Sequence, residues 1–207
     1  MTTIRNDTSV GTVSSVANVS LLDRVHVYGD VNSEGIVTLG NQVSVDGAVN
    51  QNIDLWIVPP PPVTVTFPPK TGDIHLEPDT TFTASPGSYG QVIVKSRSSL
   101  TLTVGTYYIK NLDLEPQANL IVDGTADVFI KNTWIQRGTV IGADDSHFTY
   151  MSTTQLIVES DLDTHLTAPN AQVMIRGHFS GTLTAKSLTA DAGETLTCVP
   201  CTDCELF

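Results

Sequence analysis

The sequence predicts an all-β chain wound as a single-stranded parallel β-helix, a β-solenoid with right-handed coils of about 17–20 residues. Three observations lead there. Thr, Val and Ile number 28, 23 and 13, so 64 of 207 residues are β-branched, stiff side chains that suit a pleated surface better than a helix. Apolar residues recur at a fixed period of 18, the signature of a repeat architecture. No stretch of a dozen residues carries the 3.6-residue apolar spacing of an amphipathic helix.

The period is plainest near the start. Val25, Val27, Gly29 and Val31 repeat as Val43, Val45, Gly47 and Val49, and Val13/Val31, Val19/Val37 and Leu21/Leu39 share the same offset. Alternating apolar residues broken by Gly, Asn or Asp describe short strands with one buried face. Stacked coils then bury the inward side chains in one column. The reading divides the chain into an N-terminal cap or extended arm over residues 1–18, a solenoid over 19–197, and a cysteine-containing tail over 198–207. A proline-rich surface insertion interrupts the solenoid at 51–72, where six of the 11 prolines lie. Pro59 to Pro62 lack ladder donors, so an extended polyproline-type segment pinned by Trp56 and Phe67 is expected there.

From Gly72 onward the period loosens. Ser85–Tyr89 and Thr103–Tyr107 are each a small-x-Gly-small-Tyr turn, 18 residues apart. Val92, Val94 and Leu100 match Leu112, Leu114 and Leu120 at an offset of 20, and Leu166-Thr167-Ala168 matches Leu183-Thr184-Ala185 at 17. Turn lengths vary while core positions persist.

Residues 105–142 and 166–197, with their G-x-Y-Y-x turn, the strand Val128-Phe129-Ile130-Lys131-Asn132 and the run Ala168-Pro169-Asn170-Ala171, resemble bacterial exported β-solenoid domains of polymer-forming and pilus-assembly-associated proteins. Residues 25–49 resemble the bactofilin-type coil, which polymerises end to end. The resemblance implies a structural, non-enzymatic role outside the cell or on its surface and brings no catalytic residues. Its motifs are turn and core residues, specific for fold and silent on chemistry. The start, Met1-Thr2-Thr3-Ile4-Arg5, has no apolar signal region, which fits a cytoplasmic protein or a mature form with an added Met; the resemblance favours the second.

Composition excludes some partners. A net charge of −12 cannot supply the counterion release behind nucleic-acid binding, and no apolar run approaches the roughly 18 residues of a membrane span. All three cysteines, Cys198, Cys201 and Cys204, lie in the last ten residues. That spacing fits a disulfide within or between chains, a soft-metal site, or idle thiols. The best acidic cluster is Asp161-x-Asp163-x-His165, where alternation puts all three on one strand face at about 6.6 Å steps, a spacing compatible with a metal ion or acid/base work. An outward polar ladder on a solvated wall is the simpler reading. Asp144-Asp145 beside His147 reads as a turn. The other aspartates, Asp23, Asp30 and Asp73 among them, read as turn residues bonded to local amides, with weak calcium binding at coil corners a further option and no cofactor called for. Trp134, Tyr107, Tyr108 and Tyr150 would form a sugar-stacking platform if outward. The functional expectation is a structural or adhesive surface protein that self-associates into filaments; the alternative is a carbohydrate-binding or polysaccharide-cleaving β-helix, with surface polysaccharide as partner.

Overall fold

The computed structural model describes residues 1–55, 64–193, 195–197 and 205–206. Every strand pairing among them is parallel, and the strands stack as a β-solenoid of ten rungs and three walls. We number rungs from the end that holds Gly72–Leu76.

The first wall runs from Gly72–Leu76 through residues 91–94, 111–114, 133–136, Leu156–Val158, 172–175 and 187–190. It then continues not to a later residue but to Thr2–Ile4, followed by Val19–Leu21 and Val37–Leu39. The other walls repeat this order: on the second, Thr195–Thr197 is followed by Ser9–Val10, His26–Val27 and Ser44–Val45. On the third, Glu205–Leu206 is followed by Val13–Ser15, Val31–Ser33 and Val49–Asn50.

The order along the axis is therefore permuted relative to the chain. Residues 2–50 form rungs 8 to 10, and the described residues from 72 to 206 form rungs 1 to 7 below them. Residues 1–18, expected as a cap or arm, include an interior rung, because Ile4, Val10 and Val13 alternate like the coils that follow and are almost fully buried. The insertion at 51–72 is likewise more than a local loop. It joins rung 10 to rung 1, nine steps of about 4.8 Å, about 43 Å in all, within the roughly 65 Å that twenty-one extended residues reach. Trp56 and Pro59 to Pro62 lie outside the described residues. Phe67 is described, packed edge-on against Tyr108 with ring centroids 5.6 Å apart and Lys131 Nζ 5.3 Å from its own centroid. Ser88 Oγ donates to Pro68 O at 2.9 Å.

The repeats predicted at offsets of 18, 20 and 17 are ladder partners: Val27 with Val45, Leu112 with Val92, Leu183 with Leu166. The two tyrosine turns are the exception. Gly87 pairs with Tyr107 and Tyr89 with Ile109, an offset of 20 rather than 18. The shared motif is a local device: each hydroxyl donates to the carbonyl four residues back, Tyr89 to Ser85 and Tyr107 to Thr103. The Tyr107 hydroxyl also lies 3.0 Å from Ala84 O on the rung before, its one hydrogen shared between the two carbonyls, while the bond four residues back fixes turn shape without fixing register. The core is aliphatic in rungs 8 to 10. In the wider rungs around residues 107–150 it is filled by Tyr107, Trp134, Phe148 and Tyr150, since a longer perimeter encloses more volume to pack.

Candidate functional site

Links between rungs hold several of the acidic residues. Asp30 Oδ1 accepts Ala48 N at 2.8 Å, Asp23 Oδ1 accepts Asn41 N at 2.8 Å, Asp73 Oδ1 accepts Gln91 N at 2.8 Å, and Asn18 Oδ1 accepts Ile36 N at 3.0 Å. Asn18, Asp23 and Asp30 lie between strands, as expected of turn residues, whereas Asp73 stands inside the strand Gly72–Leu76, and in all four cases the amide held belongs to the next rung. The residue just before that amide is glycine every time. A Cβ on Gly47, Gly40, Gly90 or Gly35 would come within 2.2–2.7 Å of the same side-chain oxygen. An Asx, a glycine 17 positions on and an amide at 18 make one rung-to-rung staple.

A second ladder fills the corner between the first and second walls. Asp7, Arg24 and Gln42 stand on rungs 8, 9 and 10, and Asp79, Arg97 and Gln117 on rungs 1, 2 and 3, all with φ between 57° and 67°. Arg24 Nε reaches Asp7 at 2.5 Å and Arg97 Nε reaches Asp79 at 2.7 Å. The guanidinium hydrogen bonds hold both carboxyls below their ordinary value, and the amide of Gln91 does the same for Asp73. Burial raises the Tyr89 hydroxyl instead.

The cluster Asp161, Asp163 and His165 is not drawn together. Asp161 Oδ1 accepts His178 N at 3.1 Å, Asp163 faces solvent, and His165 Nδ1 meets Thr182 Oγ1, its ladder partner on the next rung, at 2.7 Å. Among the described residues no group of three or more His, Cys, Asp or Glu side chains forms a metal-binding arrangement. Cys198, Cys201 and Cys204 lie outside those residues. Asp144 and Asp145 occupy an exposed turn. His147 and His165 stack on neighbouring rungs with centroids 4.9 Å apart, and His147 Nδ1 lies 3.7 Å from Asp127. Tyr107, Trp134 and Tyr150 point inward, leaving Tyr108 on the outside against Phe67 and Phe129, so no aromatic platform forms from the four.

Two surfaces remain with the character of a site. A shallow groove of about 330 Å3 crosses the outer side of the first wall at rungs 2 to 4, lined by Gln91, Ile93, Asn111, Asp113, Thr133 and Ile135. Thr133 Oγ1 donates to Asn111 Oδ1 at 3.0 Å, and Arg137 pairs with Asp113 at 3.1 Å. The other surface is the pair of stack ends. On rung 10 the inward side chains Leu39 and Val49 are 48% and 41% exposed, and on rung 1 Phe82 is 47% exposed. Their equivalents one rung in, Leu21, Val31 and Leu100, are sealed. Among the described residues, the outer edges of Val37–Leu39, Ser44–Val45 and Thr81–Ala84 have no strand partner.

No protein-family model, curated protein or solved structure matches the chain.

Proposed function

We propose that the protein is a structural element that associates end to end into filaments, outside the cell or on its surface. One observation carries the reading. The two ends of the stack present half-exposed core side chains above open strand edges, and an open edge recruits further strands. Rung 10 offers Val37, Leu39 and Val45, and rung 1 offers the half-exposed Phe82 beside the buried Ile74 and Leu76, apolar on both sides and compatible with one more ladder step. Covering a half-exposed Leu, Val or Phe contributes about 1 kcal/mol each. The likeness of residues 25–49 to polymer-forming, bactofilin-type coils, and of later segments to pilus-associated solenoid domains, supports the same reading. Nothing in it calls for a reaction or a cofactor.

Sedimentation velocity and electron microscopy over a range of concentrations test it. The unaltered chain forms linear assemblies, and Leu39→Asp or Phe82→Asp, each a charge at a half-exposed end position, abolishes them while leaving the circular dichroism of the fold intact. A chain that stays monomeric at its highest soluble concentration refutes the reading.

The groove on the first wall favours a second reading, binding of a surface polysaccharide, because Gln91, Asn111 and Thr133 repeat polar groups at the ladder spacing of about 4.8 Å. Co-sedimentation with insoluble polysaccharides, with and without Asn111→Leu, tests it. Equal retention of both chains counts against it.

A further inference from the structure

Every step of the stack but one joins rungs that follow each other in the chain. The exception is the seam between rungs 7 and 8, where residues near 190 meet residues near 2. Thr3 and Ile4 pair with Thr189 and Ala190, and Val10 with Leu196. Arg5 N donates to Ala190 O at 3.0 Å and Gly193 N to Asn6 O at 2.9 Å. Thr8 Oγ1 donates to Asp191 O at 2.9 Å, and Arg5 Nη1 lies 2.7 Å from Asp191 Oδ1. Ile4, Val10, Leu188, Ala190 and Leu196 bring one continuous core across the seam.

We propose that in the assembled state this seam forms between two copies of the chain, each giving its residues 2–50 to the next. The inference rests on the self-association reading above and specifies its route. Take two copies stacked end to end as closed units: rung 10 of one meets rung 1 of the other, and each seam is internal. Now let each copy wind in chain order, rungs 8, 9, 10 and then 1 to 7. Rung 10 meets rung 1 of its own chain, and rung 7 meets rung 8 of the neighbour. The two filaments contain the same ladder, so exchange forfeits no ladder contact. It also removes a constraint. In the closed unit, residues 51–71 must span nine steps, about 43 Å, whereas in chain order they bridge a single step of about 4.8 Å. Exchange of an identical element between protomers is a low-cost route to assembly whenever the exchanged contacts are unchanged.

Isotope-mixed cross-linking tests this. Thr3→Cys with Thr189→Cys places two thiols on in-register parallel partners, a spacing a disulfide can bridge. Light and 15N-labelled chains are unfolded together, assembled and oxidised, and the linked peptides spanning positions 3 and 189 are weighed. Exchange yields heavy–light pairs in their statistical share within the assembled fraction. Thr3→Cys with Ser20→Cys, partners inside the donated block, yields only unmixed pairs. A second seam pair, Arg5→Cys with Asp191→Cys, repeats the measurement if the first disturbs folding. Assemblies whose seam pairs are all unmixed overturn the exchange and leave end-on association standing. Absence of any assembly overturns both.

Discussion

Gln136 is the most consequential polar side chain in the core, and its replacement gives a sharp test of how the rungs are held together. It is fully buried. Its Nε2 donates to Gly138 O at 2.9 Å and to Ser160 O at 3.3 Å, and its Oε1 accepts Ser160 N at 3.2 Å, so one amide joins the turn of rung 4 to the turn of rung 5. Gln136→Leu keeps the volume and removes all three bonds. Buried Gly138 O is left unmet at about 1–3 kcal/mol, and the N–H and carbonyl of Ser160, which is only half-buried, add about half as much each. Allowing about 1–2 kcal/mol returned by burying the leucine, the net loss is about 1–4 kcal/mol. For a chain of this size that lowers the melting temperature by roughly 2–16 °C. Gln136→Glu makes a second prediction at the same atoms. One carboxyl oxygen still accepts from Ser160, but the other meets two carbonyl oxygens and must carry a proton, so the folded-state pKa rises above the unfolded value. A raised carboxyl pKa contributes stability in full below the unfolded value of about 4.3 and loses it as pH climbs through the folded value. Gln136→Glu is therefore close to the unaltered protein at acid pH and weaker at pH 8. Thermal unfolding followed by circular dichroism at both pH values measures it. A Gln136→Leu melting temperature within about a degree of the unaltered chain refutes the staple.

The remaining predictions use the same assay. Gly181→Ala at φ +120° sets a Cβ 2.0 Å from Thr164 O and lowers stability by roughly 3 kcal/mol or more. Gly90→Ala destabilises the unaltered chain, because its Cβ displaces the Asp73 carboxylate, but in the Asp73→Ala background the same change at Gly90 stabilises by about 0.5–1 kcal/mol; the same sign in both backgrounds refutes the staple. Gln117→Gly relieves a left-handed backbone and raises stability by about 0.5–1 kcal/mol, and a fall shows that the side chain matters more than its φ. The carboxyls of Asp7, Asp73 and Asp79, held low by Arg24, the Gln91 amide and Arg97, contribute stability above their unfolded pKa that is lost as pH falls below about 4 through their folded values. Asp79→Asn makes that acid loss shallower.

Much of the architecture is legible along the chain because a solenoid converts sequence offset into spatial neighbour. Val19, Val37, Leu21 and Leu39 are partners for the same reason they look alike. The staples were equally visible in principle, since Asn18/Gly35, Asp23/Gly40, Asp30/Gly47 and Asp73/Gly90 all stand 17 apart. Reading each aspartate against its own turn hid them, because side-chain reach along the axis matters only once coils are stacked. Asp161, Asp163 and His165 do alternate outward while Leu162, Thr164 and Leu166 are buried, but stacking hands their polar atoms to the next rung, Asp161 to the His178 amide and His165 to its ladder partner Thr182, which a single strand cannot reveal.

By itself the sequence determined that the chain is all-β, that it coils with a period near 18, and which side chains fill the column, because alternation and recurrence are local properties. The order of the coils was decided by tertiary structure alone. A ladder edge accepts any strand of matching pattern, so nothing in the repeats says that rung 7 is followed by residue 2 rather than left open. That placement follows from which edges find each other in space, with residues 51–71 long enough to permit it.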